Sequence, residues 1–275
     1  MKFTNRPRFC LSPLSLSSPY NFLPLGSLFP PGRISGIHSG RCKDCDGSRG
    51  CGLSFFILQP LRGCVLYVKI FQLGPLETNC YLVYNDVNQA LVIDPGGDPA
   101  SVLAFMENHG LHLTHILNTH LHFDHIGGNG ALKGATGVEI LAGDRDKHLL
   151  ESELGSGGFM GFPKTSPFSF TPLAPGTHTF LGESCHVLDT PGHSPGSLSF
   201  YFPSLGAVFC GDLIFYRSVG RTDFPGGDEK VLKESAYAKI LVLPEDTVIY
   251  PGHGPETDVG DARKNNPFFS DFQLI

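Results

Sequence analysis

Residues 114–129 read THILNTHLHFDHIGGN. An apolar, β-branched run ends in a short loop that holds His120, His122, Asp124 and His125, followed at once by Gly127 and Gly128. Imidazole and carboxylate are the side chains that suit zinc and other first-row metals. Alternate positions such as 120 and 122 can aim two rings the same way from extended backbone, while Asp124 and His125 aim elsewhere. One loop can therefore serve two neighbouring ions. A polar surface turn is the bland alternative, but four ligand-type residues within six positions, at the end of a strand and before a glycine turn, argue for metal.

Three later segments each run through a strand-like stretch into one further candidate. CHVLDT leads to PGHSPG with His193, AVFCG leads to Asp212, and TVIY leads to PGHG with His253. Residues at the C-terminal ends of strands can share one edge of a sheet sandwich and converge on one cleft. The glycines beside them let the chain turn sharply and leave room for ion and substrate. Seven candidate ligands exceed what one tetrahedral zinc uses.

The elements that must position these residues begin near residue 67. YVKIFQL, CYLVY and ALVID read as short antiparallel strands separated by turn residues. Asp98 reads as an N-cap with Pro99 at the first helical position, before an apolar face of Val102, Leu103 and Met106 and a stop at Gly110. The metal loop follows its strand, a short helix begins at 129–133, and VEILA is a further strand. Residues 151–176 are rich in glycine and proline without periodicity, a loop long enough to act as a lid. Strands resume with HTFL, CHVLDT, LSFYF and AVFCGD. DEKVLKESAYAKILVL (228–243) reads as a helix and TVIY as a last strand. Two strand-rich halves, each finished by helices, predict two sheets face to face with helices outside.

Composition sets bounds on this body. The chain has 275 residues, 41% of them hydrophobic, enough for one large domain and a tail. No apolar run approaches the roughly 18 residues of a membrane span. Of 20 basic and 26 acidic residues, eight and two lie in 1–66, which leaves 12 and 24 in 67–275. An acidic body disfavours nucleic acid as a partner, because phosphate contacts need cations. Cys80, Cys185 and Cys210 sit in apolar strand-like surroundings and read as reduced, buried thiols.

Residues 1–66 form a separate extension. Positions 1–43 carry no acidic residue and are rich in Ser, Pro, Arg and Phe, the composition of an organellar transit peptide. Its prolines oppose a continuous amphipathic helix, which favours a plastid over a mitochondrion. The other reading is a disordered extension, which would leave the body in the cytoplasm. Cys42, Cys45 and Cys51 have part of the spacing of a zinc knuckle but lack a fourth ligand.

THLHFDH, PGHSPGS, CGD and YPGHGPET, in this order, resemble the metallo-β-lactamase-fold hydrolases over about residues 67–270, and within them the short glyoxalase II-like group. The resemblance implies an α+β fold, a four-layer αββα sandwich, with two divalent metal ions, zinc by default and iron or manganese as alternatives. By carry-over, His120, His122 and His193 hold the first ion, Asp124, His125 and His253 the second, and Asp212 bridges them. The implied activity is hydrolysis of a small-molecule glutathione thioester, S-2-hydroxyacylglutathione, by hydroxide that the two ions generate and Asp124 orients. Long members of that group carry a C-terminal helical region that helps hold glutathione, and only 22 residues follow His253 here. Arg263 and Lys264 are the tail's cations and candidates for the glutathione carboxylates. Arg221, in GRTDF, is a further candidate, although Asp223 beside it suggests a structural ion pair. The same fold also hosts a glutathione-persulfide dioxygenase with a similar GRTDF segment. That reading uses one iron on His120, His193 and Asp212.

Overall fold

The computed structural model describes residues 65–269. The expected transit peptide and the Cys42, Cys45 and Cys51 group therefore lie outside the described residues. The first half of the body comprises β1 (Leu66–Leu73), β2 (Thr78–Asn85), β3 (Gln89–Ile93), α1 (Ala100–His109), β4 (His112–Leu117), α2 (Phe123–Ile126), α3 (Asn129–Thr136), β5 (Glu139–Ala142), a 3₁₀ stretch (Asp144–Glu151), α4 (Glu153–Ser156) and β6 (Thr171–Pro172). Its six strands form one sheet in the order β1-β2-β3-β4-β5-β6. The first three are antiparallel as the sequence predicts, whereas β3 to β6 are parallel, because α1, α3 and the 3₁₀ stretch with α4 carry the chain back between them.

The second half comprises β7 (Gly176–Phe180), β8 (Glu183–Asp189), β9 (Leu198–Phe202), β10 (Ala207–Gly211), β11 (Ile214–Phe215), β12 (Ser218–Val219), α5 (Glu229–Ser235), β13 (Val248–Pro251), β14 (Thr257–Asp258) and α6 (Val259–Asn265). Six of its strands form a second sheet, β14-β13-β10-β9-β8-β7. β9 is antiparallel to both β8 and β10, and β10 is parallel to β13. So β8, β10 and β13 all point the same way and end at one edge.

Alternation along the strands builds the layers. Tyr81 and Val83 of β2 and Leu91 and Ile93 of β3 pack with Phe200, Phe202 and Phe209 of the other sheet in the core between them. Their neighbours Cys80, Leu82, Ala90 and Val92 face outward onto Val102 and Met106 of α1 and Leu132 of α3. On the second sheet, Val208, Cys210 and Ile249 meet Leu232 of α5 and Val259 and Ala262 of α6. The result is the expected four-layer sandwich. Cys80, Cys185 and Cys210 are free thiols, all buried. Phe200 is fully buried, and cutting such a ring to Ala costs about 3–5 kcal/mol.

Two local expectations change in detail. Asp98 does accept from the Ala100 amide at 3.1 Å, but helical geometry starts at Ala100, after Pro99. The 228–243 helix is not continuous: Asp228 caps α5 through Val231 N at 3.0 Å, and the chain then widens into a π-helical turn at Ala236–Ile240. Within 151–176, α4, β6 and a bridge between Gly157 and Lys164 give the long loop some structure of its own. Among the described residues no helix is long and apolar enough to cross a membrane.

Candidate metal centre

The cleft lies at the C-terminal ends of β3, β4, β8, β10 and β13. His120 and His122 follow β4. Asp124 and His125 lie in the single turn of α2, His193 follows β8, Asp212 follows β10 and His253 follows β13. The structure brings all seven together. His120, His122 and Asp124 are buried, as are His125 and His193, and Asp212 has a side chain only 12% exposed.

They divide into two trios. In the first, Nε2 of His193 lies 2.9 Å from Nδ1 of His122 and 3.2 Å from Nε2 of His120. In the second, Oδ2 of Asp124 lies 3.6 Å from Nε2 of His125 and 3.2 Å from Nε2 of His253. Asp212 stands between the trios, with Oδ1 3.3 Å from His125 Nε2 and Oδ2 3.5 Å from His193 Nε2 and 3.7 Å from His253 Nε2. Two nitrogens at the usual zinc distance in a tetrahedron are about 3.3 Å apart. These separations are therefore those of side chains converging on a shared cation.

The far side of four of the five rings is occupied. Nδ1 of His193 donates to the Arg221 carbonyl at 2.7 Å, Nδ1 of His253 to the Leu76 carbonyl at 3.1 Å, and Nδ1 of His125 to Asp94 Oδ2 at 2.9 Å. His120 Nδ1 lies 3.1 Å from the Thr119 hydroxyl, which itself donates to Asp94 at 2.6 Å. Such partners fix the tautomer and leave Nε2 as a lone pair facing the cleft. Against this, His125 Nε2 and Asp212 Oδ1 are buried without a hydrogen-bond partner. Orphaned polar atoms are costly to bury, and a cation between them removes that cost.

Electrostatics agrees. Burial, followed by the neighbouring imidazoles, pushes the pKa of His120 well below its usual value, and burial with His193 brings His122 to about 3. Both are thus neutral, as metal ligation requires. Burial opposes charge at His125 too, but Asp212, Asp124 and Asp94 outweigh it and hold its pKa well above the usual range. The pKa of Asp212 is lowered against its burial by His125. The cage attracts positive charge.

Glycine packs where nothing larger fits. A Cβ on Gly252 would come 2.1 Å from Asp212 Oδ1 and 2.6 Å from His125 Cε1. Gly211, with φ +53°, would place one 2.3 Å from the Thr119 hydroxyl.

The remaining candidates stand outside the two trios. Arg221 pairs with Asp223 at 2.7 and 2.6 Å and stacks on Phe224 at 3.9 Å, and its carbonyl rather than its guanidinium reaches His193. Arg263 donates to the Leu241 and Leu243 carbonyls and pairs with Glu245. It secures the end of the α5 segment. Lys264 lies among Glu245, Asp246, Asp258 and Asp261.

Sequence reasoning missed Asp94, Thr119, Asn79 and Asp146. Asp94 was readable: it ends β3 at a turn as Asp212 ends β10. Asn79 donates to the Pro251 and Gly254 carbonyls at 3.1 and 2.8 Å and so holds the His253 loop onto β2. Its position inside an apolar strand gave no such signal.

This fold and cluster define a metal-dependent hydrolase scaffold, and the family model of the metallo-β-lactamase superfamily matches residues 73–253. The chain belongs to that superfamily. It is 34% identical over 207 residues to "Hydroxyacylglutathione hydrolase GloC" of Haemophilus influenzae, covering 74% of this chain and 98% of that protein. Among solved structures, the BLEG-1 B3 metallo-β-lactamase superposes with a TM-score of 0.70 at 38% identity, covering 74% of this chain and all of that one. TTHA1623 in a di-iron-bound form superposes with a TM-score of 0.67 at 39% identity, covering 73% of this chain and all of that one.

Proposed function

We propose that the chain is a dinuclear thioester hydrolase that cleaves S-2-hydroxyacylglutathione, S-D-lactoylglutathione in particular, to glutathione and the 2-hydroxy acid. The observation that carries this reading is the pair of complete trios with the Asp212 carboxylate between them. The name of the Haemophilus influenzae relative supports the substrate class. Two divalent ions, when bound, supply an acidified water and a Lewis acid for the carbonyl oxygen. Zinc is the default, and the di-iron neighbour keeps iron open.

The chain's own contribution is orientation. His120, His122 and His193 would hold one ion, Asp124, His125 and His253 the other, and Asp212 both. Asp124, whose side chain is 10% exposed and whose Oδ2 faces His125 and His253, would orient the attacking water. The Arg221 and Leu76 carbonyls and Asp94 keep four rings from rotating. Phe224, whose ring lies 5.8 Å from that of His122, gives the cleft one apolar wall beside the charged rim of Arg221 and Asp223.

The test is hydrolysis of S-D-lactoylglutathione by the full chain, followed as loss of thioester absorbance, with nitrocefin as a parallel substrate. Turnover that a chelator removes supports the reading. Turnover of nitrocefin alone, or none by protein carrying two ions, overturns it.

The alternative is a mononuclear-iron glutathione-persulfide dioxygenase that would use His120, His193 and Asp212. It leaves Asp124, His125 and His253 without work, although their atoms also converge, at 3.2 and 3.6 Å. One iron per chain with oxygen uptake on glutathione persulfide would favour it. We further propose that residues 1–66 direct the protein to an organelle, a plastid in preference to a mitochondrion. A diffuse cytoplasmic signal from a full-length fluorescent fusion would count against that.

A further inference from the structure

Asp146 belongs to a charged run, Asp144 to His148, that looks like a solvated face. Its neighbours Asp144, Arg145, Lys147 and His148 are exposed, yet Asp146 itself is fully buried. Its carboxylate is not a candidate ligand, because both oxygens are already used. Oδ2 accepts from the Leu121 amide at 3.3 Å and the Ser194 hydroxyl at 2.6 Å, and Oδ1 accepts from the Gly196 amide at 2.5 Å.

The identity of these donors is informative. Leu121 lies between His120 and His122, and Ser194 follows His193. One carboxylate thus grips both chain segments that supply the first trio, one from each sheet. The fit is close, since a Cβ on Gly196 would lie 2.6 Å from Asp146 N. The second trio is held differently. His125 leans on Asp94 and His253 on the Leu76 carbonyl, and none of these contacts passes through Asp146.

We infer that Asp146 is a positioning residue for the first ion alone: it sets the separation of His120 and His122 from His193 without touching the second trio. This rests on the two-ion reading above. Outer partners of metal ligands typically change affinity or activity by about 10–100-fold when altered, and here the change should fall on one of two sites. A carboxylate that only satisfied loop amides would lower stability without distinguishing them.

The experiment is stepwise zinc titration of the full chain against a chromophoric chelator, with Asp146→Asn and Ser194→Ala beside two reference variants. His122→Ala marks the step that belongs to the first trio, and His253→Ala the step that belongs to the second. Asp146→Asn should weaken the His122-sensitive step by about 10–100-fold and leave the other in place, with Ser194→Ala acting on the same step more mildly. Equal weakening of both steps, or neither, at an unchanged melting temperature of the metal-free protein overturns the inference. If Asp146→Asn does not yield folded protein, Ser194→Ala decides by the same criterion. Wild-type protein that takes up no zinc, iron or manganese would instead overturn the two-ion reading itself.

Discussion

Asp94 Oδ2 accepts from His125 Nδ1 at 2.9 Å and from the Thr119 hydroxyl at 2.6 Å, so one strand-terminal carboxylate reaches both trios, His125 directly and His120 through Thr119. Neutralising it while keeping its shape should loosen both rings at once. Asp94→Asn is expected to lower thioester turnover and affinity for both ions by about 10–100-fold while near-UV circular dichroism stays native. Wild-type affinity for both ions in that variant would show that the ring contacts do not matter.

Two glycines should respond oppositely to alanine. Gly252→Ala forces a methyl to within 2.1 Å of Asp212 Oδ1 and should strip the centre of ions. Gly134 in α3 has nothing within 4 Å of its would-be Cβ, so Gly134→Ala should raise stability by about 0.5–1 kcal/mol through helix propensity. Chemical denaturation and metal content distinguish the two.

The metal-free protein should weaken in acid in a specific window. Burial, then His193, brings the His122 pKa to about 3. The unfolded chain takes up a proton there near pH 6.5 that the folded chain refuses. This contribution is therefore complete above about pH 6.5 and lost as pH falls toward 3. His120 acts in the same direction. His125 acts oppositely: the carboxylates overcome its burial and raise its pKa, so its contribution is full below about pH 6.5 and fades as pH climbs through the raised value. The urea midpoint should fall between pH 6.5 and 4, and His122→Gln should flatten that slope. An unaltered slope would remove His122 from the account.

Arg263→Ala is expected to act on stability and not on substrate. Its guanidinium serves the Leu241 and Leu243 carbonyls, and because the side chain is 38% exposed the loss should be about 1 kcal/mol. A raised KM with an unchanged melting temperature would return it to the substrate site.

Much of this was legible because strand alternation and ligand spacing are local properties. The seven His and Asp residues announce themselves by type, and each sits where an apolar run stops. The same locality explains what was missed. Asp146 lies in DRDK, whose composition argues for solvent, and only the fold shows amides waiting 50 residues downstream at Gly196. Asn79 interrupts an apolar strand to serve carbonyls at 251 and 254. The parallel pairing of β10 with β13 depends on the intervening α5 segment, which no period-2 pattern encodes. The carbonyls that Arg263 serves at 241 and 243 were equally out of reach of a local reading.

Each trio draws members from both halves of the sandwich: His120, His122, Asp124 and His125 from the first sheet's connections, His193 and His253 from the second's. Bound ions would therefore act as rivets across the interface between sheets, and their supply would govern how long the protein survives. An ion at 100 times its dissociation constant adds about 2.7 kcal/mol to the folded state. A chain deprived of metal would lose that margin along with its chemistry, and become protease-sensitive first where the halves meet.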